Sequence, residues 1–436
     1  MFSWRSMKHQ GFKDKKVIRY TLSDAALLAR IGLPLELDFA RRLVKRNPIE
    51  RRLEFPEDKV PSFGGSEHVS GLARGTLIEH KPLHVLGINN RRNPGVATRF
   101  EYVTQDSHGR TLTATAGMIR SHSPWHGNSR PVIGFAPSTQ GVAQHCDPSH
   151  TSSVGIRFFR DKPRDAIAAY ELPVMLAFLA KGCDVVFIDY PRDPDLELQY
   201  YVDHIAAGQA LYDAVRAAHS LGIPADAPLG LWGFSQGGGA VAWCVENAEL
   251  PARAAVVGSP PSTLEDVMKH VDGSMVVGTL AYSVAGLMVE TPELWEQLWP
   301  LFNEHGRAQI LTNVTTCAGG TVLASRYERT RDWTVDGRSF AEVVSSLPAV
   351  RAALRRQELG HNPPTMPTLL WGSRHDDVIP VGQVRELQQR WSSLGGEVTY
   401  SESELWRLPG RTSLNHFLPY YFSVPQRMNW LLDRLH

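Results

Sequence analysis

From residue 75 onward the hydrophobic positions change period several times, and each change marks an element. "GTLIEHKPL" (75–83) carries a strand signal, and "ATRFEYVTQDSHGRTLTATAGMI" (97–119) alternates apolar and polar residues with "DSHG" (106–109) as a turn inside it, so a hairpin is expected there. "PVIGFAP" (131–137), "DVVFIDY" (184–190), "PLGLWGF" (228–234) and "ARAAVVGSPP" (252–261) are instead short continuous apolar runs. That is the look of strands buried on both faces. Between them, 165–182 and 204–222 carry helical spacing, the first ending on Gly182. "PTLLWGS" (367–373) and "GEVTYSE" (396–402) resume the strand pattern, and a final helix, "SVPQRMNWLLDRLH" (423–436), closes the chain. Strands alternating with helices predict an α/β fold: a mostly parallel sheet covered by helices on both faces.

The strand pattern vanishes between 262 and 365, where "SMVVGTLAYSVAGLMVE", "PELWEQLWPLF" and "AEVVSSLPAVRAALRR" are helical and semi-apolar. An insertion at that point lies beside the carboxyl ends of the strands, where such sheets bind ligands. It reads as a helical cap over a site. The expected organisation is an N-terminal arm at 1–69, a first core segment at 70–261, the cap at 262–365 and a second core segment at 366–436.

Composition narrows this only a little. The chain has 436 residues with 42% hydrophobic and 21% charged, enough for a large globular core. Its net charge of +1 gives no reason to expect nucleic acid as a partner. No apolar run approaches the ~20 residues of a membrane span, so no transmembrane segment is expected. The first residues, "MFSWRSMKHQGFKDKKVIRY", are basic but lack the apolar core of a signal peptide. The basic stretch "ARRLVKRNPIERR" (40–52) reads as a solvated helix face. Of the four cysteines, Cys183 and Cys244 sit in strand and helix patterns as small core residues. Cys146 and Cys317 sit in turn-rich segments, and spacing leaves open whether they pair.

The chemistry starts at "GLWGFSQGGGAVAW", where a buried strand runs into G-x-S-x-G and then a helix. A tight turn there thrusts Ser235 outward, and small flanks at Gly233 and Gly237 let it form. A serine hydroxyl needs an imidazole to take its proton, and the imidazole needs a carboxylate to fix its tautomer. In strand–elbow–helix folds the order is serine, acid, histidine. "TLLWGSRHDDVIP" offers Asp376, with Asp377 as the one-residue alternative, and "RTSLNHFLPYY" offers His416 in a late loop. His375 crowds the acid and His361 precedes its strand, so both are in the wrong place. The oxyanion needs two backbone N–H donors. Gln236, after the nucleophile, is one; Gln140 in "APSTQG" is the candidate for the other, with Thr139 next and the Thr139 hydroxyl as a third donor. His145, Asp147 and His150 in "HCDPSH" are ligand types without further partners nearby, so no metal is expected. No glycine-rich phosphate loop occurs, and no cofactor is expected.

These segments together resemble the secretory lipases, the fungal lipase A-like enzymes and their actinobacterial relatives within the α/β-hydrolases. The likeness is carried by "RPVIGFAPSTQGVAQHCDPS", "GLWGFSQGGGAVAW", "ALYDAVRAA", "GSRHDDVIP", the hairpin and the late His416, and runs from about 70 to the C-terminus. It implies hydrolysis of acylglycerols or other carboxylic esters, at a lipid–water interface in some members, with Ser235, Asp376 and His416 as the triad. It also implies a Cys146–Cys317 disulfide and export, two features that go together because a disulfide needs an oxidising compartment. The chain departs from the pattern at Ser138, where a glycine is common, and in showing no signal peptide, which leaves a cytoplasmic location open. A general carboxylesterase, an acyltransferase, a peptidase and an inactive binding protein are the alternatives on the same scaffold.

Overall fold

The computed structural model describes residues 60–63, 69–88, 93–159 and 162–436. Most of the expected N-terminal arm, and the basic stretch at 40–52, lie outside the described residues. The strands in chain order are β1 (Leu77–Pro82), β2 (Gly95–Gln105), β3 (Thr111–Ser121), β4 (Val132–Ala136), β5 (Ile156–Phe159), β6 (Asp165–Ala168), β7 (Asp184–Ile188), β8 (Leu229–Phe234), β9 (Ala252–Gly258), β10 (Thr368–Ser373) and β11 (Val398–Ser403). All but β5 and β6 form one sheet, in the order β1-β2-β3-β7-β4-β8-β9-β10-β11. Pairing is antiparallel from β1 to β7. It is parallel from β7 to β11.

The apolar runs alternate between two cores. Val132, Val186, Leu231, Val257 and Leu370 face one side of the sheet. Their neighbours Ile133, Val185, Trp232, Val256 and Trp371 face the other. Both faces are therefore buried, which is why these strands show no polar period. Helices α3 (His204–His219), α4 (Gln236–Asn247) and α12 (Val381–Ser393) cover the first side, through Leu211, Val241 and Leu387. Helices α2 (Leu172–Ala180) and α13 (Leu414–Leu432) cover the second, through Leu176 and Met428.

Between β9 and β10 stand only helices, α5 (Leu264–Val271), α6 (Thr279–Glu290), α7 (Leu294–Leu298), α8 (Glu304–Val314), α9 (Ala318–Ser325), α10 (Phe340–Ser346) and α11 (Pro348–Arg356). They bury their own apolar cluster, from Leu264 to Leu354. One more helix, α1 (Pro148–Val154), follows β4.

Two expected elements are different in the structure. Residues 165–182 are not one helix. Asp165–Ala168 pairs antiparallel with Ile156–Phe159, and the helix begins only at Leu172. Tertiary pairing has overridden the helix propensity of "DAIAA". Pro173, in the first turn of α2, marks the true start. The last helix is longer than expected and begins at Leu414, with Pro419 and Pro425 inside it. Each proline removes one helical hydrogen bond. The apolar face of Tyr420, Val424, Met428 and Leu431 packs into the core regardless.

Candidate active site

β4 lies between β7 and β8, so the loop after β4 and the turn after β8 meet at the carboxyl edge of the sheet. Ser235 occupies that turn with φ 57° and ψ −119°, a conformation that costs a non-glycine residue about 1–3 kcal/mol. Its own N–H donates to Gly258 O at 2.9 Å, and Gly239 N–H donates to Ser235 O at 3.0 Å. The glycine run is explained by space. A Cβ on Gly237 would stand 1.8 Å from Ala136 O, one on Gly238 2.2 Å from Gly258 O, and one on Gly239 2.5 Å from the His204 ring.

His416 and Asp376 converge on the same edge. His416 lies in the first turn of α13, rather than in a loop before it, and its Nδ1–H donates to Asp376 Oδ2 at 2.8 Å. Asp376 follows β10 by three residues and is held on both oxygens. Val378 N–H (2.9 Å) and Ile379 N–H (2.8 Å) donate to Oδ1, and the Ser259 hydroxyl donates to Oδ2 at 3.1 Å. Asp377 takes a bond from Asn415 Nδ2 instead, at 3.1 Å. The Phe234 ring stacks on His416 at 4.4 Å. Buried His416 Nε2 has no hydrogen-bond partner. Ser235 and His416 line one cavity; His361 and His375 do not.

The loop after β4 is held from behind by buried side chains. Tyr190 OH donates to Pro137 O, and Ser138 donates both N–H and hydroxyl to Glu171. Thr139 Oγ1 bonds Tyr201 OH at 2.9 Å, and burial pushes the Tyr201 phenol up to about 12. Thr139 and Gln236 line the cavity; Gln140 does not. The Gln140 side chain accepts from Thr151, and its carbonyl accepts Ala318 N–H at 2.9 Å. Beside it, Cys146 and Cys317 form a disulfide. Gly141, at φ 134°, pairs with Cys317, and a Cβ there would meet Cys146 Sγ at 2.8 Å. The loop is thus bonded covalently to the start of α9.

Among the described residues, one group of metal-ligating types lies close together, His145, Cys146 and Cys317, and both sulfurs are taken by the disulfide. His145 Nε2 pairs with Asp165 Oδ2 at 2.9 Å, and Asp147 pairs with Arg192.

The cavity measures about 340 Å³. Its upper wall is aliphatic and comes from the insertion: Val267, Met268 and Val271 on α5, Val276 and Leu280 at α6, Val322 on α9. A strained serine, an acid-paired imidazole and an apolar chamber at the carboxyl edge of a mostly parallel sheet are the features that α/β-hydrolases use.

The comparisons agree in class. The secretory lipase family model matches residues 163–436, and the chain belongs to that family of lipase and esterase hydrolases. A protein of Mycobacterium tuberculosis (strain CDC 1551 / Oshkosh) described as a probable inactive lipase is 25% identical over 418 residues, 93% of this chain and 86% of that one. A secreted triacylglycerol lipase of Malassezia globosa is 24% identical over 84% of this chain and 79% of its own. Among solved structures, Candida antarctica lipase A in its closed state superposes with a TM-score of 0.70 at 18% identity, covering 85% of this chain and 84% of that one. A rice cell wall degrading esterase of Xanthomonas oryzae reaches 0.67 at 18% identity, covering 84% and 100%. Substrates are therefore esters or lipids. Among the described residues no helix is long and apolar enough to cross a membrane.

Several participants escape a sequence reading. Ser259 follows β9 in "GSPP" and could have been suspected from its place at a strand end. Glu171, Tyr201 and His270, whose Nε2 approaches Asp376 O at 3.2 Å, stand in no motif.

Proposed function

We propose that this chain hydrolyses fatty acyl esters, acylglycerols included, through an acyl-enzyme on Ser235. His416 Nε2 takes the Ser235 proton as Oγ adds to the ester carbonyl. Asp376 holds the imidazole by Nδ1 and supports its positive charge. Backbone N–H groups of Gln236 and Thr139 receive the oxyanion, with Gln140 the less favoured second donor because it does not line the cavity. His416 then protonates the leaving alcohol, and water repeats the cycle on the acyl group. The acyl chain lies along Met268, Val271 and Leu280, under the helices of 262–365 acting as a cap.

The observation that carries this reading is the His416–Asp376 bond, with Nε2 unpartnered in the cavity that Ser235 also lines. The test is turnover of p-nitrophenyl esters from two to sixteen carbons, with Ser235→Ala as control. Turnover rising with chain length and absent in the control is the expected result. Activity on only the shortest esters would reduce the reading to a general carboxylesterase.

The likeness to a probable inactive lipase favours one second reading, a hydrolase fold without turnover. A fluorophosphonate separates the two: stoichiometric labelling of Ser235 supports the esterase, and none supports the inactive fold.

A further inference from the structure

Glu171 is a fully buried carboxylate that the acyl-transfer steps leave without a task. It stands just before α2, and its surroundings are specific. Oε1 accepts Ser138 N–H at 3.1 Å and also the Ser138 hydroxyl. Oε2 accepts Tyr420 O–H at 2.9 Å, and the Tyr420 oxygen in turn accepts Trp232 Nε1–H at 3.0 Å. The Tyr420 ring stacks on Phe234 at 4.0 Å and 2°, and Phe234 stacks on His416. One side chain therefore joins the loop after β4 to the helix that bears His416 and, through Tyr420, to the strand that leads into Ser235.

Burying a carboxylate is costly and good hydrogen bonds only partly offset it, and an apolar side chain of similar size fills space as well or better. Packing alone does not account for Glu171. Its bonds do: the Ser138 N–H is drawn back to Glu171, and Thr139, the next residue, lines the cavity. Burial raises the Glu171 carboxyl, and the donors from Ser138 and Tyr420 oppose that rise.

We propose that Glu171 is a positioning residue for acyl transfer: by anchoring Ser138 it aims the Thr139 N–H at the developing oxyanion, in register with the helix that carries His416. The proposal rests on the esterase reading above. It predicts a defect in the transition state rather than in substrate binding.

The experiment measures kcat and KM for p-nitrophenyl butyrate per active site, counted by phosphonate labelling of Ser235, alongside melting temperature. Losing one oxyanion donor costs about 10²–10³ in kcat, so a misaimed donor in Glu171→Ala should cost about 30–100-fold, with KM within about threefold. Glu171→Gln keeps an acceptor for Ser138 and should recover to within about tenfold of wild type. Ser138→Ala keeps the N–H bond and loses only the hydroxyl, and should cost about three- to tenfold in kcat. If Glu171→Ala does not fold, Glu171→Gln and Ser138→Ala decide alone. Wild-type kcat per labelled site in Glu171→Ala, or in Ser138→Ala where Glu171→Ala does not fold, overturns the proposal whatever the melting temperatures and leaves Glu171 a packing residue. A wild-type chain that neither turns over esters nor takes the phosphonate overturns the esterase reading first, and this one with it.

Discussion

The elbow and the helical insertion facing it are packed on different terms. Around Ser235 the backbone of α4 lies against the ends of β4 and β9 so closely that one added carbon on Gly237 or Gly238 would sit inside a carbonyl oxygen. Across the cavity, the wall includes Met268, Val271, Leu280 and Val322, side chains of helices rather than the backbone of a strand end. The nucleophile needs its geometry held to fractions of an ångström. The acyl chain needs only a dry volume. The difference suggests where sequence change is tolerated: in the insertion it should alter preference, and at the elbow it should abolish function or folding.

The largest effect should come from the elbow itself: Ser235→Ala is expected to lower kcat by ~10⁴-fold or more, read as ester turnover. Next, Asp376→Asn should cost on the order of 10⁴ in kcat, because the imidazole loses its tautomer, whereas Asp377→Asn should stay within a few fold. Equal losses in the two variants would mean that the acid is wrongly assigned. Gly238→Ala should destabilise by ~3 kcal/mol or more in urea melts, through its clash with Gly258 O. In the insertion, Leu280→Trp should lower kcat/KM for sixteen-carbon esters by roughly 10–100-fold, an effect of about 1–3 kcal/mol, and leave two-carbon esters within about threefold.

The smallest effect is a matter of pH. His204 packs against Gly239, donates Nδ1–H to Gln357 O at 2.7 Å and leaves Nε2 buried without a partner; burial lowers its pKa from 6.5 to about 4. The unfolded chain takes up a proton below 6.5 and the folded chain does not until about 4, so His204 costs stability progressively over that window. His204→Asn should flatten the slope there by up to ~1.4 kcal/mol per pH unit, seen in urea midpoints at pH 7 and 5. An unchanged slope would show that His204 titrates normally in the folded chain.

The readable features of the sequence are local ones. Ser235 could be placed because strand, tight turn and helix adjoin within sixteen residues, "PLGLWGFSQGGGAVAW". Strands buried on both faces announce themselves as unbroken apolar runs. Asp376 and Asp377 are harder to separate by pattern, since one residue of slip at a strand end reverses which carboxylate points inward; in the structure the N–H groups of Val378 and Ile379 hold Asp376, and His416 bonds it. "DAIAA" was misread because its partner strand, Ile156–Phe159, carries little alternation of its own. Glu171 was invisible for a different reason. Its partners Ser138 and Tyr420 are 33 and 249 residues away, and no spacing rule links them.

The Cys146–Cys317 bond spans 171 positions and so turns the middle of the chain into a closed ring. Ser235 lies on the ring; Asp376 and His416 hang from it on a tail. A protease that cuts once within the ring leaves a single covalent molecule, whereas a cut between 317 and 376 severs the tail and takes acid and base away from the nucleophile. The connectivity, and not only the fold, thus sorts peptide bonds into those whose loss the molecule can survive in one piece and those whose loss divides its chemistry in two.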